Sequence, residues 1–545
     1  MSNTKENNNY ISIKELSNQY IISEATIRNW IKSGYFKVIK NKYIEKESFN
    51  TFLKNVVGKE KLTSRANKLY KNNDYNNNIN QKIQNILDKG NNNIIDLSEE
   101  YEKLLDESYK NKYGVFYTPF YIVRDMMKNI PIDDKTKFLD PCCGTGNFII
   151  HALEKGVRPE NIYGYDIDKN AIFILKERVK RMFNVELPNV KNENFLNVAL
   201  DLSKNNEKFD CIFTNPPWGA KFLKKEKNYY SNVFQTGKST DTSSLFLSAS
   251  LMIISENGYL GFLLQEAFFK ISSFENIRKK ILNKNILRLI DYEKPFVKLQ
   301  TKAQAVIIKN QECREDQLIF CESKNKKYTR SINSFRSNPK SIINFYTTSN
   351  ENDVIKHLFS LPHITLKGRC RWAMGIVTGN NKRFCKNQPF PNSIPIYKGS
   401  DIQKNKIKEP SIFISLDDFD KLQQVAPIDL YEAKEKVIYR FITQRLCFFY
   451  DDKQRYILNS ANLFIPFDIP IPVNQLVELL NSDIINWLFQ KIFNTHKILR
   501  EDLECLPLHL DYFKKYDVFS ETKYLDFLGI QKLDGDTYRL LQNKK

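Results

Sequence analysis

Four consecutive residues, Asn215, Pro216, Pro217 and Trp218, combine groups that could hold an amine beside a flat ring. The asparagine amide and the stiffened proline carbonyls offer hydrogen-bond acceptors, and the tryptophan offers an aromatic face. A ring amine is a poor nucleophile because its lone pair is delocalised. Two acceptors, the Asn215 side-chain oxygen and the Pro216 carbonyl, could each take one amine hydrogen and bias the nitrogen toward a tetrahedral geometry. The chemistry this suits is methyl transfer to a nucleobase amine, which requires neither a metal nor a covalent enzyme intermediate. The four residues end the apolar run FDCIFT, which predicts a buried strand. Two prolines can neither extend that strand nor open a helix, so they predict a fixed loop at its carboxyl end. In an open parallel sheet that edge is where ligands bind, and Trp218 is expected to be exposed there.

A second set of residues lies upstream. KFLDPCCGTGNFII reads as strand, Gly-rich turn and helix, with Asp140 ending the strand. Gly144 and Gly146 allow positive φ and close approach of a ligand to the backbone. The next strand, NIYGYDID, ends in Asp166, at a spacing suited to a carboxylate that grips ribose hydroxyls. No third glycine completes a dinucleotide fingerprint. Before the Gly-rich turn, Tyr117, Thr118 and Pro119 open a helix, leaving backbone N–H groups and a hydroxyl for a carboxylate. Asn194 and Phe195 mark a third strand end. Strands alternate with helical patterns from 97 to about 310, which predicts an α/β unit with a mainly parallel sheet.

The pattern D-P-x-C-G-x-G-x-F, running from Asp140 through Cys142, Gly144 and Gly146, resembles the S-adenosylmethionine loop of DNA amino-methyltransferases. GVFYTP resembles the same family's G-x-F/Y-x-T-P motif, which helps to hold the methionine end. The order of the Thr-Pro segment, the Gly loop, NPPW and a long C-terminal region resembles the gamma class of DNA adenine N6-methyltransferases, over roughly 100–310. The resemblance implies S-adenosyl-L-methionine as cofactor, with Asp140 facing its ammonium or a bridging water. Asn194 stands where the family usually has Asp before Phe, and its amide oxygen can accept from the cofactor adenine. Trp218 would stack on a flipped base, although Tyr or Phe is commoner at that place. PFVKLQTKAQAVIIK resembles the segment that carries a second stacking aromatic; Phe296 either covers the ring's other face or packs in the core.

The flanks are read differently. Residues 1–56 resemble MerR/excisionase-like helix-turn-helix domains, with Ser23 capping a second helix that Gly34 stops. That resemblance places Thr26, Arg28, Asn29 and Lys32 on a recognition helix and buries Trp30; a protein-contact module is the alternative. Residues 57–96 read as a Lys- and Asn-rich helical linker. Segments after 325, such as WAMGIVTGNNKRF and IPIYKGSDI, resemble the target-recognition domain of Taq-type enzymes. Arg369, Arg371, Lys382, Arg383, Lys398, Arg440 and Arg445 supply donors for phosphates or base edges, and any one of them could equally be a solvated charge.

Composition bounds the partners. The 545 residues carry a net charge of +20, which favours a polyanion; a Lys- and Asn-rich compositional bias is the competing source. No apolar run approaches the length of a membrane span, and the N-terminus lacks the apolar core of a signal peptide. Nine scattered cysteines without a CxxC pair predict reduced thiols in the cytoplasm and no zinc site.

The predicted architecture is α/β: a Rossmann-like, S-adenosylmethionine-dependent methyltransferase sheet over 97–315. An N-terminal winged helix-turn-helix precedes it, and a C-terminal α+β target-recognition domain over 325–545 follows. The predicted activity is sequence-specific methylation of adenine N6 in double-stranded DNA, within a restriction–modification or orphan system. Any nuclease would be a separate chain, since no PD-(D/E)xK pattern precedes the catalytic part. Three alternatives stay open on sequence alone: cytosine N4 methylation, protein glutamine methylation, and an inactive DNA-binding regulator.

Overall fold

A computed structural model describes residues 10–20, 24–32, 35, 38–39, 43–55, 100–101, 116–220, 224–296, 301–323 and 326–541. The linker at 57–96, Ser23, Gly34 and the side chains of Asn29 and Lys32 lie outside the described residues.

The first module is a small antiparallel sheet with three helices. Strands β1 (Tyr10–Ser12), β2 (Val38–Ile39) and β3 (Tyr43–Glu45) pair in the order β1-β3-β2. Helices α1 (Ile13–Tyr20), α2 (Glu24–Lys32) and α3 (Lys46–Asn55) complete it. ISIKELSNQY predicts helix from its start, whereas its first residues join β1. Ser12 then forms a reciprocal capping box: its Oγ accepts from Glu15 N–H at 3.1 Å, and Glu15 Oε2 accepts from Ser12 N–H at 3.0 Å. The core gathers Ile13, Leu16, Ile27, Trp30, Ile44, Phe49 and Phe52.

The second module is built on one nine-stranded sheet. Its strands are β4 (Phe138–Asp140), β5 (Ile162–Tyr165), β6 (Asn189–Lys191), β7 (Phe209–Thr214), β8 (Ile254–Gln265), β9 (Lys284–Asp291), β10 (Ala303–Glu312), β11 (Leu318–Ser323) and β12 (Lys326–Ser331). The order is β6-β5-β4-β7-β8-β10-β9-β11-β12. The first five run parallel; β10 is antiparallel to both β8 and β9, and β12 to β11. The connections leave β4 toward β5 and β6 on one side and return at β7 on the other. The loops after β4 and β7 therefore open side by side at the topological switch point.

The apolar runs of the central strands follow from burial on both faces. Leu139 and Ile212 face one core with Phe195, Leu196, Leu245 and Ile277; Phe138, Cys211 and Phe213 face the other. Helices α4 (Phe120–Met126), α5 (Asn147–Glu154) and α6 (Lys169–Phe183) pack on the second face. Helices α7 (Phe195–Lys204) and α8 (Thr242–Ile253) pack on the first.

The sheet does not stop near 315. Strand β11 pairs in parallel with β9, and β12 pairs with β11. Arg330, 1% exposed, donates to the Asn344 carbonyl at 3.4 Å and to Asn352 Oδ1 at 2.9 Å. This compact unit extends to His357. The change of character near 325 falls at β12, a polar strand, KKYTRS, at the sheet's edge, whereas β11 is an interior strand between β9 and β12.

Residues 358–490 and 494–541 form antiparallel and mixed sheets with short helices. Cys370–Met374, Ala461–Pro466, Lys436–Arg440 and Phe448–Asp451 make a four-stranded sheet. Phe413–Ser415, Ser393–Tyr397 and Tyr456–Ile457 make a three-stranded one. No disulfide links the nine cysteines. Among the described residues no helix is long and apolar enough to cross a membrane, and no cluster of His, Cys, Asp or Glu could hold a metal.

Candidate active site

The switch point carries a cavity of about 190 Å³. Its wall includes Tyr117, Thr118, Asp140, Cys142, Gly144, Gly146, Asp166, Asn194, Phe195, Asn215 and Pro217, residues that the sequence brings from five separate segments. Pro119 stands just outside, at the N-cap of α4. Pro216 is buried in the loop, and Trp218 and Phe296 lie behind it in the core.

The Gly-rich turn is fixed by backbone geometry. Gly144 has φ +49° and Gly146 φ +91°, both left-handed. A Cβ on Gly146 would sit 2.0 Å from Leu175 Cδ1, so helix α6 presses directly on the loop. Buried Arg178, also on α6, donates to the Thr145 carbonyl and, at 3.0 Å, to Asn147 Oδ1. Asn147 Nδ2 passes the link on to the Thr118 carbonyl at 2.8 Å. The Thr-Pro segment and the Gly-rich turn are thereby held together.

Two carboxylates face the cavity, Asp140 buried and Asp166 half-buried. Asp140 Oδ1 accepts from Thr214 Oγ1 at 2.7 Å and from Cys142 N–H at 3.2 Å. Asp166 accepts from Gly144 N–H and from Asp168 N–H, both at 2.8 Å. Burial nevertheless pushes Asp140 up to about 7 and Asp166 up to about 6. A cationic ligand would relieve both, because it would offset the cost of a desolvated negative charge. This donor set fits a sulfonium and ammonium group on a nucleoside. Asn194 is partly committed: its Oδ1 accepts from Leu196 N–H at 3.0 Å and caps α7. A carbonyl oxygen has two lone pairs, so one acceptor position is left for a ligand amine.

Asn215 is held on one side of its amide only. Its Nδ2 donates to the Phe116 carbonyl at 2.9 Å. Its Oδ1 is buried and accepts from no group among the described residues. A buried acceptor without a partner costs about 1–3 kcal/mol, so it calls for a ligand donor. The loop around it is braced: the Pro217 carbonyl accepts from Thr242 Oγ1, and the Asn215 carbonyl accepts from Cys142 Sγ at 2.9 Å.

Trp218 is not exposed. It retains 8% of its surface, because the loop after β7 folds back over the end of β8 and the indole N–H donates to the Leu263 carbonyl at 3.3 Å. Its ring meets Phe296 edge-on at 5.4 Å and Phe116 at 6.2 Å. Phe296, also 8% exposed, belongs to the core cluster and borders Trp218, as its core reading expects.

Several contributors went unnoticed in sequence. Asp168 caps α6, accepting from Asn170 N–H at 2.9 Å, and also accepts from Tyr101 Oη at 2.7 Å. An Asp before a helical run was the available signal. Arg178 looks like one more cation of an amphipathic helix, and Thr214 like one more strand residue; neither carries a local signal.

The N-6 DNA methylase family matches residues 92–366, and the TaqI-like C-terminal specificity domain matches residues 394–508. The chain is 45% identical over 396 residues to the type II methyltransferase M.VspI of Vibrio sp. (strain 343), covering 72% of this chain and 96% of that protein. It belongs to the N-6 DNA methylase family. The methylase is thus an enzyme that modifies DNA at adenine N6 with sequence specificity. A further relative, modification methylase CviBIII of Paramecium bursaria Chlorella virus NC1A, is 27% identical over 222 residues, 39% of this chain and 54% of that one. Among solved structures, the type IIL restriction-modification enzyme MmeI in complex with DNA is similar with a TM-score of 0.48 and 12% identity, covering 74% of this chain and 68% of that chain.

In the specificity region the predicted cations are spread over the surface. Lys382 and Arg383 are exposed on the short helix Asn381–Phe384, capped by Asn380, and Lys398 is half-buried. Exposed Arg371 pairs with Asp429 at 2.6 Å, and Arg369 with Asp468. In the first module, exposed Arg28 pairs with Glu24 at 3.3 Å, Thr26 is half-buried, and Trp30 is buried.

Proposed function

We propose that the methylase binds S-adenosyl-L-methionine in the switch-point cavity and methylates a flipped adenine held at Asn215. Thr118 and Asp140 would hold the methionine end, Asp166 the ribose hydroxyls, and Asn194 with Phe195 the adenine. The bound cofactor supplies an activated methyl group on a sulfonium.

The remaining work belongs to the chain. Asn215 Oδ1 accepts one hydrogen of the target amine, and the Pro216 carbonyl accepts the other. Removing both hydrogens from the ring plane localises the nitrogen lone pair, and the fixed loop orients it. Trp218 and Phe296 are buried behind the loop in this structure and would wall the base once the loop opens on DNA. The observation that carries this reading is the solitary Asn215 Oδ1, a buried acceptor left open beside the cavity.

Double-stranded DNA is gripped by the specificity region, with Arg371, Lys382, Arg383 and Lys398 as donors to phosphates and base edges. Residues 10–55 act as a helix-turn-helix that adds a DNA contact through α2, with Thr26, Arg28, Asn29 and Lys32. Three helices, a small sheet and a core around Trp30 support that assignment. The chain works as the modification partner of a separate restriction endonuclease, or alone. Expressing it in a methylation-free host and reading the DNA by long-read sequencing should show N6-methyladenine at one motif. Unmodified adenine throughout would overturn the proposal.

A further inference from the structure

The Gly-rich turn and the NPPW loop are joined by more than adjacency. Cys142 leaves the turn immediately after Pro141, yet its side chain reaches the other loop. Its Sγ donates to the Asn215 main-chain carbonyl at 2.9 Å and lies 3.3 Å from Thr214 Oγ1. Thr214 Oγ1 in turn donates to Asp140 Oδ1 at 2.7 Å, and Asp140 accepts from the Cys142 N–H at 3.2 Å. Asp140, Cys142 and Thr214 thus meet between the ends of β4 and β7: the Thr214 proton is spent on Asp140, which leaves the thiol proton for the Asn215 carbonyl. The Asn215 side chain is held separately, by the Phe116 carbonyl at 2.9 Å. Main chain and amide are each pinned once, and the amide oxygen is the group left open.

We infer that Cys142 is a positioning residue for Asn215: its thiol proton fixes the Asn215 peptide and thereby aims the amide oxygen at the target amine. The inference rests on the proposed role of Asn215 as amine acceptor. It assigns the Cys142 side chain to the catalytic loop rather than to the cofactor, although the residue lines the cofactor cavity. The chemistry favours a thiol in this place. Burial pushes its pKa well above the ordinary range, so it stays protonated and keeps its donor.

Removing one donor that shapes a catalytic loop should slow single-turnover methyl transfer by about tenfold. The experiment compares Cys142→Ala and Cys142→Ser in the full chain, with a DNA substrate and S-adenosylmethionine. Cys142→Ala should lose that rate while its cofactor dissociation constant stays within about twofold of wild type. Cys142→Ser, which restores a donor, should recover at least about a third of the wild-type rate. A wild-type rate in Cys142→Ala would overturn the inference, as would a serine variant as slow as the alanine one. Cofactor affinity falling in step with rate would overturn it too, by returning the side chain to the cofactor.

A second measurement does not depend on the alanine variant folding. The S–H stretching band of Cys142, taken as the infrared difference between wild type and Cys142→Ser, should sit at the lowered frequency of a hydrogen-bonded thiol. A band at the free-thiol frequency would dismiss the contact. Loss of activity in the wild-type chain itself would instead count against the reading of Asn215, so the two failures are distinguishable.

Discussion

The carboxyl edge of the nine-stranded sheet and the surface of residues 358–541 treat their polar side chains in opposite ways. At the sheet edge, Asp140 is 1% exposed and Arg178 2%, and almost every donor has a named acceptor. In residues 358–541, Arg371, Lys382 and Arg383 are exposed; Arg371 pairs with the exposed carboxylate of Asp429, and Arg383 lies over the Phe384 ring. Chemistry requires desolvated groups at fixed angles, where electrostatics is strong and errors of position are costly. Recognition of a polyanion sums many screened contacts, each of small weight. A single substitution should therefore be severe in one region and mild in the other.

The largest expected effect is at Asn215. Asn215→Ala should lower the methyl-transfer rate by about 10³-fold while DNA affinity is kept, as measured by single-turnover labelling and a binding titration. A loss of under tenfold would erase the contrast between the regions.

Glycines sharpen the comparison. Gly146→Ala should destabilise the fold by about 3 kcal/mol, because φ is +91° and the new Cβ meets Leu175. Gly368→Ala, at φ +74° with nothing within 4 Å of its Cβ, should cost only about 1 kcal/mol. Urea midpoints of the two variants test whether the strain is local or reinforced by packing.

The pH dependence of cofactor binding comes next. Asp140 and Asp166 are raised from 3.8 to about 7 and about 6 by burial. The folded protein therefore holds protons that the unfolded chain has released. The stability this contributes is full below the unfolded value and is lost as pH rises through about 6 to 7. A cationic ligand needs the ionised forms, so cofactor affinity should climb over the same window in which ligand-free stability falls. Calorimetry from pH 5.5 to pH 8, together with thermal midpoints, would show the two trends crossing. In Asp140→Asn the upper inflection should vanish, and its persistence would assign it elsewhere.

The smallest effect is expected at Lys382. Lys382→Ala should weaken DNA binding only a few-fold and reduce the salt slope by about one. A loss as large as that at Asn215 would make Lys382 a reader of base edges.

What could be read from sequence divides along the same line. The runs FLD and FDCIFT announced buried strands because both faces of a central parallel strand must be apolar. Gly144, Gly146 and the two prolines announced loops because few other residues adopt those backbones. The partners of those loops were silent. Arg178, Thr214 and Asp168 act through contacts 33, 74 and 67 residues away, and nothing local distinguishes them from their neighbours. Trp218 was misjudged as exposed for a related reason: its burial depends on Leu263 and Phe296, which only the fold brings near. The sheet runs on past 315 because β11 pairs in parallel with β9 and the polar β12 closes the edge, pairings that no local run announces.

The indole of Trp218 has a further use. It is one of four tryptophans, and it is wedged against Phe116 and Phe296 with its N–H on a main-chain oxygen. An adenine arriving at the loop would have to part this packing, which would change both the polarity around the indole and its quenching. A chain with Trp30, Trp372 and Trp487 each replaced by Phe would then report base entry by its own emission, in real time and without a labelled substrate. The indole would then serve as an optical gauge for the step that precedes chemistry.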